Sequence, residues 1–201
     1  MKRSCLVALA IFASVATGFA QAPGRGTAVL YPVLFDDTGT STSRAVTKTA
    51  LGEVLSSGGF RLVSDSTAAS AWKKLGVRTP SYTKVPKVAD LARFGSRVGA
   101  RYVVMAQVHF HTRSIWVNLG PKTVSNCDIS VTIVDATKNA IVYEQDGEGR
   151  SDEKSDALKV AGALLITPLI TAVSGGPKTP QESRAGQIAA VRSLQRFVTV
   201  N

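Results

Sequence analysis

The chain's two histidines stand two residues apart, His109 and His111, inside the run "YVVMAQVHFHTR". In a strand alternate side chains share a face. Gln107, His109, His111 and Arg113 therefore point one way, while Val104, Ala106, Val108 and Phe110 point the other. Two imidazoles on one strand face can hold zinc only if a third ligand joins them and, for catalysis, a position stays open for water. The remaining ligand candidates, Cys127, Asp128 and Asp135, stand at no diagnostic spacing, and Arg113 on the same face repels a cation. The pattern predicts polar residues on the wet face of a half-buried strand, with no metal and no cofactor. A metal-assisted hydrolase using His109 and His111 is the enzymatic alternative.

Other residues that could do chemistry are the adjacent acids Asp36 and Asp37, at the end of the first strand-like run. That is where an α/β sheet often opens its ligand crevice, although acids ahead of a helix more often serve as caps and favour its dipole. Asp146, Glu148, Asp152, Glu153 and Asp156 alternate with Gly and Ser. They predict a loop and a helix start, with a weak calcium site as the alternative. The chain contains no Gly-x-Ser-x-Gly elbow, no Walker loop and no His-Glu-x-x-His helix. Catalytic residues are therefore not expected.

The elements that would position these residues begin after an export signal. Lys2 and Arg3 precede an apolar run from Leu6 to Val15, and small residues follow up to Ala22. This is the layout of a cleaved secretory signal peptide, residues 1–22. Its apolar core falls short of the about 20 residues of a membrane span. The expected mature chain, residues 23–201, suits one domain in the periplasm or medium. Of two cysteines, Cys5 leaves with the signal, and Cys127 in "CDISVTIV" should pack as a small hydrophobe. The chain carries 24 basic and 14 acidic residues, a net charge of +10. Outside the cytoplasm nucleic acid is not an available partner. Anionic envelope polymers and lipid surfaces are, and the scattered charges also fit an ordinary solvated surface.

"AVLYPVLF" reads as a buried strand interrupted at Pro32. The loop "DDTGTSTS" leads through N-caps among Ser41 to Ser43 into a helix with Val46, Ala50, Leu51, Val54 and Leu55 on one face. "FRLVS" is a short strand, followed by a helix starting at Asp65 or Ser66 with Ala68, Ala69, Trp72 and Leu75 inside. A shorter helix with Val88, Leu91 and Ala92 stops at Gly99. Strand signals cover Tyr102 to Thr112, Ile115 to Asn118, Val124 to Val134 and Ala140 to Glu144. Residues 155–173 predict an apolar helix kinked at Pro168, either core or docked on a partner or membrane. Thr179-Pro180-Gln181-Glu182 opens the last helix as a capping box. Its inner side holds Ile188, Val191, Leu194 and Val198, with Arg184, Arg192 and Arg196 facing solvent. The order β-α-β-α-α-β-β-β-α-α predicts an α/β (α+β) fold, a mixed parallel and antiparallel sheet with helices packed on it.

Four segments in this order resemble bacterial envelope proteins of the curli-secretion CsgG type, whose fold is shared by the amino-terminal domain of TolB and by LpoB-type activators of penicillin-binding proteins. "TAVLYPVLFDDTGT" is similar to their opening strand and loop, and "GGFRLVSDST" to their second strand. "ADLARFGSRVGARYVVMAQV" is similar to their helix, Gly-Ala and inner strand, and "VTIVDATKNAIVYEQDGEG" to their closing hairpin. The resemblance spans about residues 27–150. It implies action by binding and assembly. The chain departs from the lipid-anchored members in having no lipidatable Cys at the end of the signal. The segment Phe110 to Val124 also lacks the sustained alternation of a membrane hairpin.

The combined expectation is a non-enzymatic periplasmic or secreted binding or scaffold protein in envelope assembly or secretion. Its expected partners are envelope proteins or further copies of itself. A curli-type secretion pore subunit is the assembly alternative. The expected recognition surface is Asp36, Asp37 and Thr38 in the first loop, together with Trp116.

Overall fold

The computed structural model describes residues 25–117, 120–151 and 179–200. The expected signal (1–22) and the apolar helix expected over 155–173 lie outside them. The chain runs β1 (Thr27–Phe35), α1 (Ser41–Ser57), β2 (Arg61–Leu62), α2 (Asp65–Lys74), α3 (Val88–Val98), β3 (Tyr102–Val117), β4 (Gly120–Asp135), β5 (Ala140–Arg150) and α4 (Thr179–Val200). The strands form one sheet in the order β2-β1-β3-β4-β5. β1 is parallel to β2 and β3, and β3, β4 and β5 form an antiparallel meander. This is the expected mixed sheet with helices packed on it.

Alternation along the strands feeds two cores. Leu30, Val104, Ala106, Val108, Phe110, Cys127, Ile129, Val131 and Ile133 meet α1 and α4 on one face. Val29, Val103, Met105 and Val134 meet α2 and α3 on the other, where Trp72 and Phe94 pack with ring centroids 5.2 Å apart. Phe94 is fully buried, so its truncation to Ala costs about 3–5 kcal/mol. The α2–α3 layer is short. It seals Val103 and Met105, but further along β3 His111 on the same face is exposed.

Several expectations about boundaries are corrected. The runs from Tyr102 to Thr112 and from Ile115 belong to one 16-residue strand, paired residue by residue with β4 out to Val117 and Gly120. At Pro32 the strand shifts register between Leu30 and Val33 yet continues to Phe35. Asp146 and Glu148 lie within β5, not in a loop. The intervening Gly147 and Gly149 are buried because α4 crosses directly over them. A Cβ on Gly147 would sit 2.5 Å from the Ala189 carbonyl, and one on Gly149 would strike the Ala185 carbonyl. α4 itself is enclosed more fully than a one-sided stripe predicts. Ile188, Val191, Leu194 and Val198 are buried as expected, but so are Glu182, Ser183, Gln187 and Ser193. Wedged between α1 and the β4–β5 hairpin, it leaves Arg192 and Arg196 exposed and Arg184 only partly so.

Candidate functional site

The candidate site is assembled where β1 ends. Phe35 pairs with Val108, and the Asp36 N–H still reaches the Val108 carbonyl at 3.4 Å. Asp36 then folds a turn on its own side chain. Its Oδ1 accepts from the Thr38 N–H at 3.0 Å and from the Thr38 hydroxyl. Short polar side chains favour such turns because they mimic a backbone acceptor. Thr38 Oγ1 accepts from the Phe110 N–H at 2.8 Å, and the Thr38 carbonyl accepts two guanidinium donors of Arg44 at 3.0 and 2.8 Å. Gly39 follows at φ +78°, against the Phe110 ring, where a Cβ would collide. The loop is thus fastened to β3.

This fastening turns Asp36 Oδ2 onto Nδ1 of His109, with which it makes a close contact. His109 Nε2 lies 3.3 Å from His111 Nδ1, and His111 Nε2 lies 3.8 Å from Asp128 Oδ2 on β4. A continuous polar chain, Asp36–His109–His111–Asp128, therefore runs along the open face of the sheet. Tyr82, from the α2–α3 connector, stands beside it with its ring centroid 6.4 Å from that of His109. The Tyr82 carbonyl accepts from Gln107 Nε2 at 3.0 Å. Cross-strand register extends the row from His109 through Asp128 to Glu148 on β5.

Electrostatics follow from these contacts. Burial alone pushes the Asp36 carboxyl up. The hydrogen bonds from Thr38 and His109 and the charge of His109 outweigh it, so the group lies below the ordinary carboxylate value. The Tyr82 phenol is raised, first by burial and then by the carboxylates of Asp36 and Asp128. The Cys127 thiol is driven far up by burial, with Asp128, Asp36 and Glu182 adding to it.

The same loop faces a second polar cluster on the sealed side of the sheet. Glu182 is only 3% exposed. Its Oε2 accepts from the Thr40 N–H and the Ser43 hydroxyl, both at 2.9 Å, and its Oε1 accepts from the Thr112 hydroxyl at 2.9 Å. The predicted capping box is thereby corrected. Glu182 reaches across to the start of α1 and to β3, because α4 brings its first turn against both.

The residues singled out in the sequence are distributed as follows. Asp36 and Asp37 do not cap α1. Its N-cap is Thr40, whose side chain accepts from the Ser43 N–H at 3.2 Å, and no acid occupies its first turn. Asp37 is exposed, Thr38 is a fastener, and Trp116 is 83% exposed near the end of the β3–β4 ribbon. Of the third-ligand candidates only Asp128 is brought near the histidines. Cys127 is buried on the α1–α4 face. Asp135 sits at the other end of β4, opposite Tyr102, where Arg101 Nε reaches it at 3.3 Å. Among the described residues no group of three or more His, Cys, Asp or Glu is arranged to hold a metal ion. The Asp36–His109 contact was missed in the sequence because it depends on the register of β1 on β3. A parallel β1–β3 pairing that matches Phe35 with Val108 delivers the next acid to His109.

No protein-family model matches the chain, and no curated protein matches it in sequence. Solved structures are similar to it. Lipoprotein GNA1162 from Neisseria meningitidis aligns over 73% of this chain and 99% of its own at 11% identity, with a TM-score of 0.49. Hypothetical protein CT253 from Chlamydia trachomatis aligns over 88% and 99% at 13% identity, with a TM-score of 0.48. The LpoB C-terminal domain from Escherichia coli aligns over 61% and 82% at 18% identity, with a TM-score of 0.41. Function is therefore read from this chain's own residues.

Proposed function

We propose that this chain acts by binding, as an exported, non-enzymatic accessory or scaffold protein of the cell envelope, in the manner of the LpoB-type proteins its sequence resembles. The observation that carries the reading is Trp116. Beyond the last pairing with β5, Asn126 to Arg150, the ends of β3 and β4 continue, among the described residues, as a two-stranded ribbon. Near its tip a Trp is 83% exposed. A large aromatic held out on paired strands is pre-positioned for a partner's pocket, since its strand backbone is ordered before binding. The signal-like N-terminus supports the compartment, and no helix among the described residues is long and apolar enough to cross a membrane.

Capture of partners from envelope extract, with the wild-type chain and with Trp116→Ala, tests the proposal. A specific envelope protein retained by the wild type should be lost by a factor of about 30 in the variant, the size of an interface hot spot. Equal retention by both chains removes Trp116 from the interface and the reading with it.

A further inference from the structure

We propose that the outer face of the α2–α3 layer docks on an anionic lipid surface, with Lys74 and Arg97 set against the lipid phosphates. The uneven distribution of charge is the first reason. Residues 65–101 contain eight Lys and Arg against two Asp, a net +6 of the chain's +10. Asp65 is drawn off by Lys48 of α1, at 2.6 Å, and Asp90 lies 3.5 Å from Arg93. Lys73, Lys74 and Arg97 are exposed, and among the described residues no carboxylate pairs with them. The exposed acids Glu144, Asp146 and Glu148 stand elsewhere, on β5.

The shape of the surface is the second reason. Two adjoining grooves share Arg97. One, of about 440 Å³, carries Ser66, Thr67 and Ser70 beside Lys74 and Arg97. Hydroxyl donors next to two cations suit phosphate oxygens, which accept charge-assisted hydrogen bonds. The other, of about 670 Å³, sets Arg93 and Arg97 beside an apolar wall of Leu75, Ala89 and Ala92. A soluble polyanion has nothing to place against that wall. A lipid carries methylenes next to its phosphate, and their burial there is favourable.

Each Lys or Arg held at an anionic membrane strengthens binding about fivefold. Several such contacts give reversible docking with no inserted segment. The attraction fades within a Debye length, about 10 Å at 0.1 M salt, so the cations of this face dominate. α4 lies across the sheet from α2 and α3, and its exposed Arg196 is therefore a matched control. The grooves and the Trp116 ribbon share no residue, so lipid docking and partner binding fail separately.

The test is sedimentation of the untagged exported chain with vesicles of phosphatidylglycerol and phosphatidylcholine in equal parts, and with vesicles of phosphatidylcholine alone. The expected result is binding to the first only, weakened steeply by added salt. Lys74→Ala combined with Arg97→Ala should weaken it about 30-fold, and Arg196→Ala by no more than about twofold. All three side chains are exposed, so the variants keep the fold. Soluble glycerol phosphate at the same phosphate concentration should not displace the chain. Displacement would assign the grooves to a free phosphate and overturn the docking. Equal binding to both vesicles, binding to neither, or a loss from Arg196→Ala as large as from the double variant would overturn it too.

Discussion

One loop, Asp36 to Thr40, organises two polar clusters on opposite faces of the same sheet, and they differ in what they leave over. On the sealed face, Glu182 has both oxygens occupied by donors from α1 and β3, and it is shut under α4. The groups bonded to Glu182 are all used in holding elements together. On the open face, Asp36 is held as firmly, but the chain it starts ends in an exposed His111 and an exposed Asp128. Saturated polar clusters in a dry setting fasten a fold, because an unpaired group there costs its full desolvation. Clusters that end in solvent keep donors and acceptors for something else. The exposed Trp116 lies beyond the reach of α2 and α3 in the same way.

This contrast can be broken by substitution. Glu182→Ala should cause the largest loss of this set, about 2 kcal/mol in urea unfolding, because it strands the Thr40 N–H and leaves the Ser43 and Thr112 hydroxyls only their bonds to Thr40 and Ser125. A loss under 1 kcal/mol would mean that water replaces the carboxylate and that the cluster is not sealed. Thr40→Ala removes the N-cap of α1 and should cost about 1 kcal/mol. The acid limb comes next. Asp36 is depressed in the folded chain, so its contribution is complete above the ordinary carboxylate value of about 4 and fades as pH falls through its lower folded value. Asp135, depressed by Thr137, Lys138 and Arg101 against its burial, fades in the same direction. Asp36→Asn should therefore remove part of the fall in stability below about pH 4 and leave the part due to Asp135. An unchanged pH profile would show that Asp36 is not held as described. Smallest of all, His111→Ala should alter stability by no more than about 0.5 kcal/mol, the mark of a residue the fold does not need.

Much of the frame was legible in the residues. The helix stop at Gly99, found in the left-handed region at φ +67°, marks the entry to the inner strand. The antiparallel β4–β5 hairpin also stands as read, and of the expected inward stripe Ala68 and Trp72 are buried and Leu75 partly so, whereas Ala69 is exposed. What escaped depends on contacts between segments distant in the sequence. Gly147 and Gly149 signal a loop by composition, yet they sit in a strand because α4 needs their missing Cβ atoms. Glu182 looked like its own helix's cap, and only the α1–α4 crossing shows that it serves another helix. At the candidate site the strand face of His109 and His111 was readable from alternation. The delivery of Asp36 to His109 required the register of β1 on β3, which no local pattern encodes.

We propose that this chain works by presenting its β3–β4 ribbon to an envelope partner. Replacing Trp116 by a photo-crosslinking amino acid in growing cells tests it most directly, with exposed Lys74 on α2 as the control position. A discrete adduct with an envelope protein is expected from position 116 and none from position 74. No adduct from position 116, or the same pattern from both positions, would contradict it.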